Sequence, residues 1–191
     1  MSILSNFISL YGDYARYESC RCNRVQVEDH FMSKSKALDR FDRKILECLQ
    51  RDATLANQEV ADEVGLSPAP CSRRIKHLCE SGYIKKHMAI VDRRSVNLDL
   101  VAIVGISMDR HTAERFAGFE SEIAKIPEVI ECFVVTGQKA DYILKVVVPD
   151  MDRYEQVLLS QINTIDGVSS VHTSFQLRDV FESRPLPLDY C

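Results

Sequence analysis

The stretch that decides the fold is VGLSPAPCSRRIKHL, residues 64–78 of a 191-residue chain. Gly65 suits the left-handed backbone conformation that commonly follows the last residue of a helix. Ser67 is a favourable N-cap, and Pro68 is favourable at the first helical position because the N–H it lacks would have no helical partner there. The stretch therefore predicts that one helix ends at Val64 and that another begins directly after Ser67.

Two helical patterns precede this turn. In the first, Asp39 can cap the N-terminus and Asp42 adds negative charge to the first turn. The second covers residues 57–64, where Ala61 is small enough to let a neighbouring helix approach closely. The first helix also has an apolar face with helical spacing, formed by Phe41, Ile45, Cys48 and Leu49. A small residue in the second helix, a glycine turn and a following helix are the elements of a helix-turn-helix.

The helix after the turn has two chemically different faces. On a helical wheel, Arg73 and Lys76 fall on a polar side. Arg74 lies at its flank, where a phosphate contact and an ion pair inside the domain are equally consistent with the sequence. Four residues fall on the side that would pack inward, namely Cys71, Ile75, Leu78 and Cys79.

Positive charge is concentrated around this helix. The whole chain has a formal net charge of −4, yet residues 67–94 carry seven basic and two acidic side chains, whereas residues 95–191 carry eight and fifteen. A solvated surface helix would also be charged, but the second helix of a helix-turn-helix is placed to contact the major groove and phosphates. We therefore expect contacts with double-stranded DNA through Ser67, Ala69, Ser72, Arg73, Arg74, Lys76 and His77.

Residues 83–91 alternate enough to predict a short strand, followed by a linker over residues 92–99. Lys85 and Lys86 beside this strand could reach the DNA backbone as a wing, or be ordinary surface residues.

From residue 100 the periodicity changes to that of a sheet with helices. A βαββαβ order is typical of the ferredoxin-like arrangement, one antiparallel sheet with helices on one face. Such sheets commonly pack face to face, so we expect at least a homodimer. The expected elements are strands over 101–108, 129–135, 142–148 and 168–177, a helix over 112–126, and a helix capped by Asp150.

Composition excludes several classes of protein. No run of about 18 apolar residues is present, so no membrane-spanning helix is predicted. The N-terminus does not resemble a signal peptide, and an odd set of seven cysteines then favours reduced thiols in a cytoplasm. Phosphate-binding loops, zinc-protease motifs and nucleophile elbows are absent, which argues against an enzyme and a bound cofactor.

The N-terminal stretch shows no sustained periodicity. Met32 begins a short polar leader, and either it is the natural start or residues 1–31 are an extension. Cys20, Cys22 and His30 could bind a metal ion, but structural zinc sites need four ligands and wider cysteine spacing, so no metal site is predicted.

Several motifs occur in an order that is more specific than any one of them. The helical half contains LDRFDRKIL at 38–46, the stretch at 64–78 and GYI at 82–84. The second half contains FVVTG at 133–137, DYIL at 141–144, VPDM at 148–151 and SF at 174–175. Together they resemble the Lrp/AsnC (leucine-responsive/asparagine-operon) family of transcription regulators over residues 38–188.

The resemblance implies an α+β protein, in which an N-terminal three-helix winged helix-turn-helix domain is joined to a ferredoxin-like βαββαβ regulatory domain of the RAM/ACT type. Members form dimers, often tetramers or octamers, and respond to amino acids. The expected division is an extension at 1–36, a DNA-binding domain at 37–91, a linker at 92–99, an effector and oligomerisation domain at 100–180, and a tail at 181–191.

By this resemblance the effector would bind at the turn before residue 142. Gly137 allows a close backbone approach, and Asp141 can pair with an ammonium group, although both are also ordinary turn residues. This turn is one residue longer than the family's Gly-x-x-Asp-Tyr, so the identity of the effector does not carry over. The expected effector residues are Thr136, Gly137, Gln138, Ala140, Asp141 and Tyr142.

A second interpretation is an amino-acid-binding or assembly module that does not bind DNA. The helix-turn-helix pattern argues against it.

Overall fold

The computed structural model describes residues 38–137, 139–181 and 184–191. The predictions for the leader at Met32, for the metal ligands Cys20, Cys22 and His30, and for Gln138 lie outside these residues. The described chain forms two compact units. We call residues 38–90 with 180–191 the helical unit, and residues 91–179 the sheet unit.

The helical unit contains three helices, α1 (Arg40–Arg51), α2 (Asn57–Val64) and α3 (Pro68–Glu80). The predicted cap of α1 is confirmed, because the Asp39 carboxylate accepts hydrogen bonds from the N–H groups of Phe41 and Asp42 at 2.8 and 2.9 Å. The three helices enclose one apolar core of Ile45, Leu46, Cys48, Val60, Ala61, Val64, Cys71 and Leu78.

The turn between α2 and α3 has the predicted geometry. Gly65 has φ 75° and ψ 38°, and the N–H of Leu66 donates to the carbonyl of Ala61 at 2.8 Å. The chain thus reverses direction within a few residues, as a helix-turn-helix requires. Although Ala56 cannot cap α2, the Glu59 carboxylate accepts from the Ala56 N–H at 2.7 Å, which satisfies one of the first-turn donors.

The predicted start of α3 is confirmed, because Ser67 occupies the N-cap position and Pro68 the first helical position, although the Ser67 side chain makes no capping hydrogen bond. The expectation that Cys79 packs inward is wrong, since Cys79 is exposed. On a wheel of about 100° per residue, Leu78 lies about 20° from Cys71 whereas Cys79 lies about 80° away, at the edge of the buried arc.

The strand predicted over residues 83–91 is also wrong, since the structure has no strand in that range. Tyr83 and Ile84 instead pack against the helical core, and the Ile84 N–H donates to the carbonyl of Leu78 at 3.1 Å. Alternating apolar residues suit a strand only when another strand supplies hydrogen bonds, and the described part of the helical unit offers none. The predicted linker contains one short 3₁₀ turn, Arg94–Val96.

The sheet unit has the predicted βαββαβ order. Its elements are β1 (Leu100–Met108), α4 (Ala113–Ile123), β2 (Val129–Val134), β3 (Tyr142–Val148), α5 (Met151–Val157) with a π-helical continuation (Leu158–Ile162), and β4 (Val168–Phe175). The helix predicted to reach residue 126 ends at Ile123, and the last strand ends at Phe175. The antiparallel sheet has the strand order β2-β3-β1-β4, which is the ferredoxin-like arrangement.

Substitution of Gly65 tests the turn. Gly65→Ala should lower the free energy of unfolding of the helical unit by about 1–2 kcal/mol, because a Cβ disfavours the left-handed conformation; no steric clash contributes, since no atom lies within 4 Å of the added Cβ. Gly118 is the matched control, because it lies inside α4 with equally open surroundings. Gly118→Ala should stabilise the sheet unit by about 0.5–1 kcal/mol. Urea unfolding measures the stability of both variants. If both variants were less stable than the wild type, the assignment of the turn would be contradicted.

Candidate DNA-binding and effector sites

The outer face of α3 presents the predicted DNA contacts to solvent. Ser67, Ala69, Ser72, Arg73, Lys76 and His77 are all exposed. Lys76 lies 3.7 Å from the Glu80 carboxylate, and such an exposed pair one helical turn apart is weak. Among the residues that the structure describes, no ion pair of Arg73 is found. Both long cationic side chains are therefore available to a partner.

Arg74 has a different environment from Arg73. Its guanidinium lies 2.7 Å from carboxylate oxygens of both Asp39 and Asp42, and 5.5 Å from the ring centroid of Phe41. Of the two alternatives left open by the sequence, the structure shows the ion pair inside the domain. Arg74 thus ties α3 to the first turn of α1.

These contacts shift the acid–base equilibria of the partners. The pKa of Arg74 is raised, and the largest cause is its hydrogen bond to Asp42. Partial burial acts to raise the pKa of Asp39, but backbone hydrogen bonds and the Arg74 guanidinium outweigh it, so the pKa of Asp39 is lowered. Both groups remain charged around neutral pH, and the pair is intact there.

The predicted effector turn connects β2 to β3 and folds against β1. The Asp141 N–H donates to the carbonyl of Ile106 at 2.7 Å, and the Ser107 hydroxyl donates to the carbonyl of Lys139 at 2.8 Å. A Cβ built on Gly105 would lie 3.2 Å from the Ala140 Cβ, so Gly105 permits this close approach. Thr136 and Gly137 are exposed at the tip of the turn, with Gly137 at φ 81°.

The Asp141 carboxylate is held on both oxygens. Oδ2 accepts the N–H of Met108 at 2.7 Å, and Oδ1 lies 2.7 Å from Nε2 of His111. The imidazole is largely exposed, whereas the carboxylate is about four-fifths covered. The carboxylate is therefore fixed from the protein side, while its His111 side faces solvent.

The side chain of Tyr142 is buried at the end of the turn and is not exposed to solvent. Its side chain is 1% exposed, its ring lies against Phe119 and Phe116 at centroid distances of 4.6 and 5.5 Å, and its hydroxyl donates to Glu120 at 2.9 Å. Tyr142 remains a predicted effector residue, and its burial means that its side chain is not an exposed part of the turn. It instead anchors the end of the turn in the core.

Sequence reasoning missed three polar residues at this end of the sheet. Ser107 and His111 contact the effector turn directly. Arg115 pairs with Asp109 at 3.3 Å and with Asp166, and these bonds, the Asp166 hydrogen bond first, raise the pKa of Arg115. None of the three belongs to a recognisable motif, because the fold brings them to partners that are about 30 to 50 residues away in the chain.

An open groove of about 340 Å³ lies beside the turn, between α4 and the edge strand β2. It shares Tyr142 with the predicted effector residues. Its other lining residues are Glu120, Ile123, Ala124 and residues 129–134.

Residues 38–137, 139–181 and 184–191 contain no group of three or more metal-ligating side chains. No helix among these residues is long and apolar enough to cross a membrane.

The buried thiol of Cys48 has a raised pKa. Burial is the main cause and the hydrogen bond to Glu63 the next, and together they raise this pKa to about 11. This thiol is accordingly protonated and unreactive at neutral pH.

Replacement of Arg74 tests its role in holding α3. Arg74→Ala should lower the free energy of unfolding of the helical unit by up to about 1 kcal/mol at pH 7. Because the pKa of Asp39 is lowered in the folded state, this stabilisation is present above the unfolded value of about 3.9 and is lost as the pH falls through the folded value. The difference between wild type and variant should therefore shrink below about pH 4.

Urea unfolding at pH 7 and pH 3 measures this difference. Arg73→Ala is the matched control and should leave stability unchanged at both pH values. An equal loss of stability from Arg74→Ala at both pH values would contradict the ion-pair account.

Comparison with known proteins agrees with this geometry. The family model described as Lrp/AsnC ligand binding domain matches residues 101–186, and the model described as winged helix-turn-helix DNA-binding matches residues 38–85. The Leucine-responsive regulatory protein of Klebsiella pneumoniae is 36% identical over 151 residues, covering 79% of this chain and 92% of that protein. The DNA-binding transcriptional activator DecR of Escherichia coli is 34% identical over 152 residues, covering 80% and 99%.

Solved structures give the same result. An AsnC family transcriptional regulator from Agrobacterium tumefaciens is 38% identical with a TM-score of 0.75, covering 80% of this chain and 99% of that one. A transcriptional regulator from Neisseria meningitidis, solved as a complex with L-Met, is 35% identical with a TM-score of 0.76, covering 80% and 98%. With both of its halves matched in order, this chain belongs to the Lrp/AsnC family of DNA-binding transcriptional regulators.

Proposed function

We propose that this protein is a sequence-specific regulator of transcription that inserts α3 into the major groove and responds to an amino acid bound at the turn before Tyr142. One observation carries the DNA-binding part. The helix that follows the Gly65 turn exposes Arg73 and Lys76, while Arg74 is held by carboxylates of its own unit.

The residues of α3 are proposed to have different roles, according to these positions. Arg73 and Lys76 are long and cationic, so they suit base edges and phosphates. Ser67 and Ser72 have hydroxyl groups that suit phosphate oxygens at the N-terminal end of α3. Ala69 leaves room for a base edge, and His77 lies one helical turn after Arg73. We assign Arg74 the role of positioning α3, because its guanidinium is already engaged.

The effector site is proposed for the end of the sheet that holds residues 136–142. An amino acid carries one ammonium and one carboxylate group. The ammonium suits the fixed carboxylate of Asp141, where it would replace or share the contact with His111. The carboxylate suits backbone N–H groups around Gly137, and Thr136, Gln138 and Ala140 are proposed as the remaining effector contacts. The L-Met complex of the Neisseria relative supports this class of effector without fixing its identity.

Self-association is part of the proposal. On edge strand β2, about half of the surface of Ile130 and of Phe133 is exposed to solvent. Exposed apolar residues on an edge strand favour association with another chain. We propose a homodimer at least, assembled through sheet units. We also propose a cytoplasmic location, since the proposed target is DNA.

Substitution on α3 tests DNA binding. The double variant Arg73→Ala/Lys76→Ala should weaken binding to the upstream region of the protein's own gene by at least about tenfold. Each lost phosphate contact should lower the slope of log K against log salt by about 1. Gel shift at several salt concentrations measures both. The double variant Lys125→Ala/Arg178→Ala removes the same charge from the sheet unit and should bind as wild type.

Two outcomes would reject this proposal. If Arg73→Ala/Lys76→Ala retains the affinity and the salt slope of the wild type, α3 does not read DNA. If the wild type itself binds no DNA but binds amino acids, the chain is an amino-acid-binding module without DNA binding.

A thermal-shift screen of the twenty amino acids tests the effector site, because a ligand of the folded state raises the melting temperature. Asp141→Asn should weaken binding of the responding amino acid by about 10- to 100-fold, since the charge is lost while an oxygen remains for the Met108 N–H. Asp152→Asn removes an exposed carboxylate from α5 and should bind as wild type. Unchanged binding to Asp141→Asn would place the effector elsewhere.

A further inference from the structure

The C-terminal segment of the chain, residues 184–191, is part of the helical unit. It is reached only after the last strand of the sheet unit, so it is far in sequence from the helices that it contacts. The side chain of Gln50, near the end of α1, makes two hydrogen bonds with one residue of this segment. Its Oε1 accepts the N–H of Leu186 at 2.7 Å, and its Nε2 donates to the carbonyl of Leu186 at 3.3 Å.

This pair recognises backbone rather than a side chain. The Leu186 side chain is 72% exposed, whereas its N–H and C=O are both bonded to one glutamine amide. A residue in an antiparallel β-ladder likewise uses both its N–H and its C=O to bond one partner residue. Pro185 and Pro187 flank the recognised residue, and proline restricts the backbone, so less conformational entropy is lost when this segment docks.

Leu188 provides the apolar anchor. It packs against the core of the helical unit, whereas Tyr190, two residues later, is 92% exposed. The segment is therefore attached at two points, by the Leu186 backbone and by the Leu188 side chain. Its last residues contribute little.

The size of the helical unit makes this attachment consequential. Residues 38–90 alone form a body smaller than about 60 residues, and bodies of that size bury too little surface for more than marginal stability. Their core has only eight buried apolar residues. Leu188 is one of the partly buried apolar side chains packed against these eight, and an apolar side chain brought in with two hydrogen bonds is a substantial addition to such a small core.

We propose that residues 184–191 are a strap that completes the helix-turn-helix unit, and that α1 carries a docking site for this proline-flanked segment of the same chain. The DNA-binding unit is thus attached to the sheet unit by two covalent connections, one after residue 90 and one before residue 180. Loss of the strap loosens α1 and, through the contact of Arg74 with its first turn, the helix that faces DNA. This inference does not depend on the identity or position of the effector.

Amide hydrogen exchange of the full chain, with DNA affinity measured in parallel, tests the strap. Three variants remove it in different ways, namely a chain ending at residue 183, Leu188→Ala and Gln50→Ala. In each, amides of α1 should exchange about 5- to 30-fold faster, corresponding to a loss of about 1–2 kcal/mol, and DNA binding should weaken. Amides of β1 and β3 should keep their protection, which shows that the sheet unit is intact.

Two matched controls distinguish the strap from general sensitivity. Gln58→Ala removes an exposed glutamine whose bond is to Asp62 in its own helix, and Tyr190→Ala removes the exposed aromatic residue of the same segment. Both should leave α1 exchange and DNA affinity unchanged. The proposal is overturned if truncation and Leu188→Ala leave α1 exchange at the wild-type rate, or if Tyr190→Ala accelerates it as much as Leu188→Ala.

Discussion

The structure depends on how α3 is held against α1. The Gly65 turn determines where α3 starts, but a helix can still rotate about its axis. Burial of Cys71 and Leu78 fixes one side, and the ion pairs of Arg74 with Asp39 and Asp42 fix the flank. With those two constraints satisfied, Arg73 and Lys76 can only point outward. The cationic face is therefore a consequence of packing on the other side of the same helix.

A comparable constraint operates in the sheet unit. The turn between β2 and β3 is bonded through its backbone to β1 and is anchored by the buried ring of Tyr142. Contacts with Ser107 and Gly105 hold this turn on β1. The carboxylate of Asp141 is thereby presented at a fixed position beside an exposed imidazole. The proposed recognition of a small zwitterion requires a fixed charge of this kind.

The sequence predicted those features whose causes are local. The cap at Asp39, the left-handed Gly65 and the order of strands depend on neighbouring residues or on periodicity, and the structure has all of them. The strand expected over 83–91 failed because a strand needs a partner, which alternation cannot reveal. His111 and the contact between Gln50 and Leu186 were missed for a related reason, since each joins segments that are far apart in the chain and carry no motif. For Arg74, the wheel placed the residue at the flank but could not choose between phosphate and carboxylate, because the choice rests on carboxylates about 32 residues earlier.

A structure of this protein bound to its own upstream DNA tests the role of α3 most directly. We expect α3 to lie in the major groove, Arg73 and Lys76 to reach base edges or phosphates, and Arg74 to stay on Asp39 and Asp42. A complex in which α3 lies away from the groove would contradict this, and so would one in which Arg74 leaves both carboxylates to bind DNA while Arg73 remains in solvent.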